Sequence, residues 1–170
     1  MVWTCSTCGQ THLGLAFAYS QAAPAPYVEI PPEERPTRTL LAEEQCEIDG
    51  EHFFVRARIV LPVVGDPQAW FEWGVWASLS KQNYQRMGEL WNTSGREYEP
   101  DYFCWVSSDL PTYSPSTYLL KGRLQTRPVG ERPVVELEPT EHPLAREQRN
   151  GITIEHVHAI AEYALHYSVE

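Results

Sequence analysis

The centre of the chain shows an alternation of apolar and polar residues that indicates β-strands. Every second position is apolar from residue 53 to 61, and the alternation returns from 71 to 79, after a turn predicted at Gly-Asp-Pro, 65–67. Because successive side chains of a strand point to opposite faces of its sheet, a period of two predicts one buried face. The predicted buried sets are Phe53, Val55, Ala57, Ile59 and Leu61, and Phe71, Trp73, Val75, Ala77 and Leu79.

Other segments have helical spacing. Ser80 is predicted to cap a helix that places Tyr84, Met87 and Trp91 on one side. Thr153 is predicted to cap the last helix, whose apolar stripe is expected to be buried and whose polar stripe is expected to be solvated. The apolar stripe comprises Val157, Ile160, Ala161, Ala164 and Leu165, and the polar stripe comprises Glu155, His158, Glu162 and His166.

The remaining segments define the predicted fold class. Three more strands are predicted at YFCWVSS, TYLLKGRLQTR and RPVVELE, and a short helix at TEHPLAREQRNG is expected to end at Asn150-Gly151. Strands joined by turns, with helices segregated around them, indicate an α+β fold with a mainly antiparallel sheet and flanking helices. The stretch AYSQAAPAPYVEIPPEERP contains too many prolines for a long helix, so an extended wrap is expected there. The predicted core includes Phe53, Val55, Ile59, Trp73, Val75, Val157, Ile160 and Leu165.

Composition and charge narrow the class of protein. The chain has 170 residues with 42% hydrophobic residues, which is typical of a globular protein. No apolar run approaches the roughly 18–20 residues that a bilayer span requires, and MVWTC lacks the features of a signal peptide, so we expect a cytoplasmic protein without membrane association. The net charge of -10 disfavours nucleic-acid binding, because phosphate backbones attract basic proteins.

The negative charge is concentrated in one segment. Residues 29–51 contain eight acidic residues against two arginines, an excess of six negative charges. Like charges at this density repel one another unless cations offset them. We therefore expect this segment to meet basic residues, either the protein's own Arg56, Arg58 and Arg123 or those of a basic protein partner.

The N-terminal stretch CSTCGQTH has the spacing of a metal-binding turn. Cys5 and Cys8 enclose two residues, Gly9 permits a tight turn after them, and His12 follows four residues beyond Cys8. Cys46 is the other cysteine in a polar setting, whereas the aromatic neighbours of Cys104 suggest a small buried residue. Cys5, Cys8, His12 and Cys46 would together form a closed structural zinc (Zn²⁺) site.

Two alternatives for the cysteine pair remain open. A redox-active Cys-x-x-Cys usually follows a strand and opens a helix, but only four residues precede Cys5, and Gly-Gln-Thr-His is a poor helix start. The cysteines could also be inert thiols, and a disulfide is disfavoured in a reducing cytoplasm. The spacing favours metal over both alternatives.

Several motifs in the chain resemble an uncharacterised bacterial family, domain of unknown function 2199. They are C-x-x-C-G-x-x-H, a later C-x-I-D before FF-x-R, then WGVW-x-SLS, and finally the block ELEPTEHPLAREQRNGI. The resemblance covers nearly the whole chain and implies that Cys5, Cys8, His12 and Cys46 belong to one constellation. It implies no particular activity.

Further polar clusters have both a functional and an ordinary interpretation. Glu138, Glu141 and His142 could perform acid–base chemistry, although Thr140 capping a helix, with Glu141 in its first turn, explains the same pattern. His158, Glu162 and His166 share a helix face that could bind metal, but a solvated stripe is the favoured interpretation. One set of basic residues with a tryptophan would form either an anion-binding patch or an ordinary sheet face. In the second case the face is either solvated or covered by segment 29–51. The set comprises Arg56, Arg58, Lys121, Arg123, Arg127 and outward-facing Trp76.

These observations favour one function over another. The chain is predicted to be a single domain, 1–170, with a zinc-binding segment and Pro-rich wrap in 1–50 and an α+β core in 51–170. The favoured hypothesis is a zinc-stabilised domain that binds a basic protein without catalysis, in the manner of an immunity or antitoxin protein. The alternative is a hydrolase that uses Glu138, Glu141 and His142 or a metal with an open coordination position.

Overall fold

The computed structural model describes residues 2–167, which contain both strands and helices. Five α-helices and one short 3-10 helix, Arg96–Tyr98, accompany ten strands in this range. The strands are β1 (Val2–Thr4), β2 (Thr11–Leu13), β3 (Ala18–Ser20), β4 (Thr39–Leu41), β5 (Gln45–Ile48), β6 (His52–Val63), β7 (Asp66–Leu79), β8 (Tyr102–Val106), β9 (Lys121–Gln125) and β10 (Val134–Leu137). The helices are α1 (Ala25–Glu29), α2 (Arg35–Arg38), α3 (Lys81–Glu89), α4 (Pro143–Asn150) and α5 (Ile154–His166).

The larger sheet is built around the long hairpin of β6 and β7. Strand β7 also pairs with β8, β8 with β9, β9 with β10, and β10 with β6, so these pairings form a closed ring of five strands. Strand β3 extends the sheet beside β7, and β5 and β4 extend it beside β6. Among the described strands, the pairs are antiparallel except β10–β6 and β3–β7. The predicted α+β class with a mainly antiparallel sheet and flanking helices is confirmed.

The interior of the ring is the main hydrophobic core. All ten alternating residues predicted on β6 and β7 are buried there, and α5 adds Val157 and Ile160. The predicted burial of Leu165 was wrong, since 53% of this residue is exposed. Leu165 lies in the last turn of α5, where no element of the described chain covers it.

A second hydrophobic cluster lies on the opposite face of the sheet. Trp76 is completely buried there, and its indole N–H donates to the backbone carbonyl of Gln21 at 3.0 Å. Trp76 therefore faces away from the main core, as predicted. The wrap and strand β5 cover this face, in agreement with the alternative that segment 29–51 shields it. The cluster comprises Ile30, Cys46, Ile48, Phe54 and Trp76.

Helix caps fix the ends of the elements that surround the core. The side chains of Ser80 and Thr153 accept hydrogen bonds from the first turns of α3 and α5, as predicted. Helix α4 is capped by His142 and not by Thr140, because the His142 ring accepts from the backbone N–H of Leu144 at 3.1 Å. Within residues 2–167, no helix combines the length and the apolar character that crossing a membrane requires.

Candidate metal centre

The cysteine motif forms the loop of a small β-hairpin. Strands β1 and β2 pair so that Trp3 lies opposite His12, and the loop between them carries both cysteines. The Cys5 N–H donates to the carbonyl of Gln10, and the Gly9 N–H donates to the carbonyl of Cys5, each at 2.9 Å. Gly9 has a φ of 69°, a left-handed conformation that glycine adopts without steric cost. The local sequence thus folds the cysteines toward one another.

Three of the four predicted ligands come together in this hairpin. The ligand atoms of Cys5, Cys8 and His12 all lie within 4.8 Å of one another, so the group could hold a metal ion. The Cys8 sulfur is 3.6 Å from Nε2 of His12. Ligand bond lengths in tetrahedral zinc sites place neighbouring sulfur and nitrogen atoms about 3.6 Å apart, so the donor types and this spacing both fit zinc.

The Cys5 thiol lies in an environment that favours its ionised form. Burial raises the pKa of Cys5, but hydrogen bonds from the Cys8 backbone and from the side chains of His166 and Cys8 lower it, and the net pKa is about 7. Metals bind the thiolate and not the thiol. Because the pKa of this thiol is near neutrality, little free energy is needed to ionise it for metal binding.

Cys46, the predicted fourth ligand, lies outside this group. It is fully buried in the second hydrophobic cluster, opposite Phe54 in the pairing of β5 with β6. Burial and the neighbouring Glu47 raise the pKa of the Cys46 thiol to about 11. The four-residue set predicted from spacing therefore does not agree with the structure. Cys104 is buried in the main core, as predicted, and burial raises its pKa to about 12.

One face of α5 lies against the cysteine hairpin. The backbone N–H and the hydroxyl of Ser6 donate to the two carboxylate oxygens of Glu162, at 2.5 and 2.6 Å. The His158 ring stacks on Trp3 with 5.5 Å between ring centroids. Nε2 of His166 lies 3.1 Å from the Cys5 sulfur. The prediction of a solvated stripe was therefore wrong for His158 and Glu162, which are half-buried, whereas His166 stays exposed beside the cysteines. The i, i+4, i+8 spacing of the three residues indicated that they share one helix face.

The predicted acid–base cluster does not form a site. His142 uses both ring nitrogens, since Nδ1 accepts from Leu144 and Nε2 lies 2.9 Å from the carbonyl of Pro115. Glu138 and Glu141 are both exposed. With no free nitrogen to take a proton, His142 acts as a helix cap.

A different set of hydrogen-bonded polar side chains, a polar chain through His156, was not predicted from the sequence. Nδ1 of His156 lies 2.5 Å from Glu147, and its Nε2 lies 2.9 Å from the hydroxyl of Thr112. Tyr113 donates to the second carboxylate oxygen of Glu147 at 2.7 Å. Thr112 has a φ of 69°, an uncommon conformation for a β-branched residue. These residues are far apart in the sequence, so no local motif could have revealed the chain.

The fold and the hairpin together define an α+β protein with a Cys/His group of the kind that holds a metal. The model of the family described as an uncharacterized protein conserved in bacteria (DUF2199) matches residues 4–152. The chain therefore belongs to this family, as its motifs had indicated. No curated protein and no solved structure shows a significant match to the chain.

Proposed function

We propose that this protein is a zinc-stabilised binding module whose metal has a structural role and whose acidic face binds a basic segment of another protein. The observation that carries the structural role is the position of Cys5, Cys8 and His12 in a hairpin that packs on α5. Trp3 and Cys5 of this hairpin share a hydrophobic cluster with Ala161 of the helix. A metal held by Cys5, Cys8 and His12 would fix the shape of the hairpin that packs on α5, which is how structural zinc contributes to folding.

The clefts of the protein lie elsewhere. A cleft of about 650 Å³ is lined by α1, the strand β5 and the loop before β9, and a second of about 550 Å³ is lined by Arg58, Arg96 and Arg132 among others. Neither contains a residue of the metal group. A catalytic metal needs an adjacent space for substrate, so this arrangement supports a structural ion.

The larger cleft has the character expected for a basic segment. Its walls carry Glu29, Asp49 and Asp109, with Ile30 and Ile48 at an apolar base. We name it the acidic cleft. Arg38 also lines it and is held by Asp49 and Glu34, at 2.7 and 2.8 Å. Carboxylates around an apolar base suit a peptide with a lysine or arginine beside a hydrophobic residue.

Internal pairing accounts for only part of the acidic segment. Arg132 pairs with Glu44 at 2.6 Å and with Glu43 at 3.9 Å, and Tyr84 donates to Glu47. The expected partners Arg56 and Arg58 interact elsewhere, with the carbonyl of Gln21 and with Glu72, and Arg123 pairs with Glu136. Glu29, Glu33 and Glu51 are exposed and form no ion pair within residues 2–167. These three carboxylates are the ones that we assign to a partner.

Reversing the charge of these three residues tests the binding role. The variant Glu29→Lys/Glu33→Lys/Glu51→Lys is expected to bind a ten-residue Lys/Arg-rich peptide at least about 10-fold more weakly, with a weaker dependence on salt. It reverses the three carboxylates of the acidic segment that form no internal ion pair, of which Glu29 lines the cleft itself. Peptide affinity is measured by fluorescence anisotropy at several salt concentrations, and thermal melts check that the fold is unchanged. The control Glu138→Lys/Glu141→Lys/Glu155→Lys carries the same net charge on other exposed positions. If both variants bind the peptide equally weakly, the effect is due to net charge, and the result contradicts a binding cleft.

Hydrolysis is a second candidate function, and the polar chain through His156 is the observation that favours it. With the Nδ1 proton directed at Glu147, Nε2 could accept the proton of the Thr112 hydroxyl as its oxygen attacks an ester carbonyl. The ester C–O bond would break, the leaving alcohol would take the proton from His156, and water would release the acyl group. This function requires turnover of p-nitrophenyl acetate that is lost in both Thr112→Val and His156→Gln but kept in His52→Gln. Wild-type turnover no faster than that of the His156→Gln variant would exclude it.

A further inference from the structure

We propose that His166, in the last turn of α5, is the fourth ligand of the metal centre. The site would then hold zinc with the thiolates of Cys5 and Cys8 and the imidazoles of His12 and His166. This inference rests on the proposed zinc site and extends it across the chain, since Cys5 and His166 are 161 positions apart. The family match ends at residue 152, so the assignment comes from the geometry of this chain alone.

The contact between His166 and Cys5 places an imidazole nitrogen directly beside the metal group. Nε2 of His166 lies 3.1 Å from the Cys5 sulfur, and Nε2 of His12 lies 3.6 Å from the Cys8 sulfur. Each cysteine thus has one imidazole nitrogen beside it. Neighbouring sulfur and nitrogen ligands of tetrahedral zinc are about 3.6 Å apart, close to both contacts. Among the described residues, the group with ligand atoms all within 4.8 Å of one another is Cys5, Cys8 and His12, so zinc binding must also draw His166 toward Cys8 and His12.

Two contacts hold α5 in the orientation that brings His166 to the cysteines. Ser6, between the two cysteine ligands, donates twice to Glu162, which lies one helical turn before His166. These two hydrogen bonds lower the pKa of Glu162, so the contact is made by the carboxylate. One turn earlier, His158 stacks on Trp3. Residues at i, i+4 and i+8 share one helix face, so fixing the first two also directs the third at the hairpin.

The charge of the completed site also favours His166 over a third cysteine. Two thiolates neutralise one Zn²⁺, and two neutral imidazoles leave the centre without net charge. A third thiolate would leave the centre with a net negative charge next to the buried sulfur of Cys5, and two imidazoles avoid that charge. The four ligands also close the coordination sphere, as expected for a structural ion.

The matched variants His166→Phe and His158→Phe test the assignment on the full zinc-loaded chain. Both remove an imidazole from the same face of α5 and keep an aromatic ring, but only His166 is proposed as a ligand. We expect His166→Phe to lower zinc affinity by at least about 100-fold, the upper end of the effect of losing an outer-shell partner. His158→Phe should change it less than about 10-fold. Affinity is measured by competition with a chromogenic chelator, and the four-coordinate absorption spectrum of the Co²⁺-loaded wild type should change in His166→Phe and be kept in His158→Phe.

A measurement on the unsubstituted protein covers the case in which a variant does not fold. Long-range ¹H–¹⁵N spectra of the zinc-loaded wild type should show two imidazoles with a metal-bound Nε2, assigned to His12 and His166. A single metal-bound imidazole, or His166→Phe with unchanged zinc affinity, would overturn the role of His166 while the zinc-binding proposal stands. Absence of zinc binding by the wild type would overturn both.

Discussion

Replacing Cys5 by serine is expected to abolish zinc binding and to separate the N-terminal hairpin from α5. Among the ligands, Cys5 is the one whose loss should destabilise the protein most. Its sulfur lies beside His166, and its side chain is buried in the cluster with Trp3 and Ala161. Serine cannot replace a thiolate as a zinc ligand at neutral pH. A ligand at 1,000 times its dissociation constant stabilises the folded state by about 4 kcal/mol, and this is the scale of loss that we expect in excess zinc.

The measurement combines metal content with stability. The wild type should contain about one zinc per chain, and Cys5→Ser and Cys8→Ser should contain none. Adding zinc should raise the melting temperature of the wild type but not that of either variant. Cys46→Ser and Cys104→Ser are the controls, because both thiols are buried away from the hairpin and their variants should retain zinc. Full zinc content in Cys5→Ser, or its loss in Cys46→Ser, would contradict the site.

Truncating Trp73 to alanine is expected to lower the free energy of unfolding by about 3–5 kcal/mol. Trp73 is almost fully buried inside the closed ring of strands, where its indole packs against the aromatic side chains of Tyr19, Phe71 and Tyr113. Its indole N–H also donates to the hydroxyl of Tyr113 at 3.2 Å. Removing the side chain therefore leaves a large cavity and a buried polar group with one partner fewer.

A tryptophan on the same strand provides the control. Trp70 is 54% exposed, so Trp70→Ala should cost less than about 1 kcal/mol. Urea unfolding followed by circular dichroism compares both variants with the wild type, and the slope with denaturant should remain similar. A Trp73→Ala variant as stable as Trp70→Ala would show that the described core is not the one that stabilises the protein.

The strand and helix predictions succeeded where the pattern was local and strong. The alternation on β6 and β7 identified ten buried residues correctly, because a half-buried strand must alternate. Ser80 and Thr153 were identified as caps because the capping contact lies within three residues. The same reasoning was wrong for Thr140, since the neighbouring His142 can also accept from the first turn of α4.

Predictions about the faces of the elements were less successful. Trp76 lies on the face of β7 that alternation assigns to solvent, yet the wrap covers it. His158, Glu162 and His166 form a polar stripe, yet the cysteine hairpin lies against it. Polarity indicates whether a face tolerates water, but it does not indicate which distant segment packs there. In both places the N-terminal segment covers a surface of the later chain.

The sequence by itself determined strands β6 to β10, two of the helix caps and the cysteine turn with His12, because each depends on residues that are close together in the chain. The short strands β1 to β5 were not predicted. Only the tertiary structure decided that the strands close into a ring, that Cys46 is buried on the opposite face of the sheet, and that His166 reaches Cys5. These features depend on which edges and faces meet after folding. Contacts between residues more than 100 positions apart follow from the packing of whole elements. Spacing along the chain indicates which residues share a face, but not which distant element that face meets.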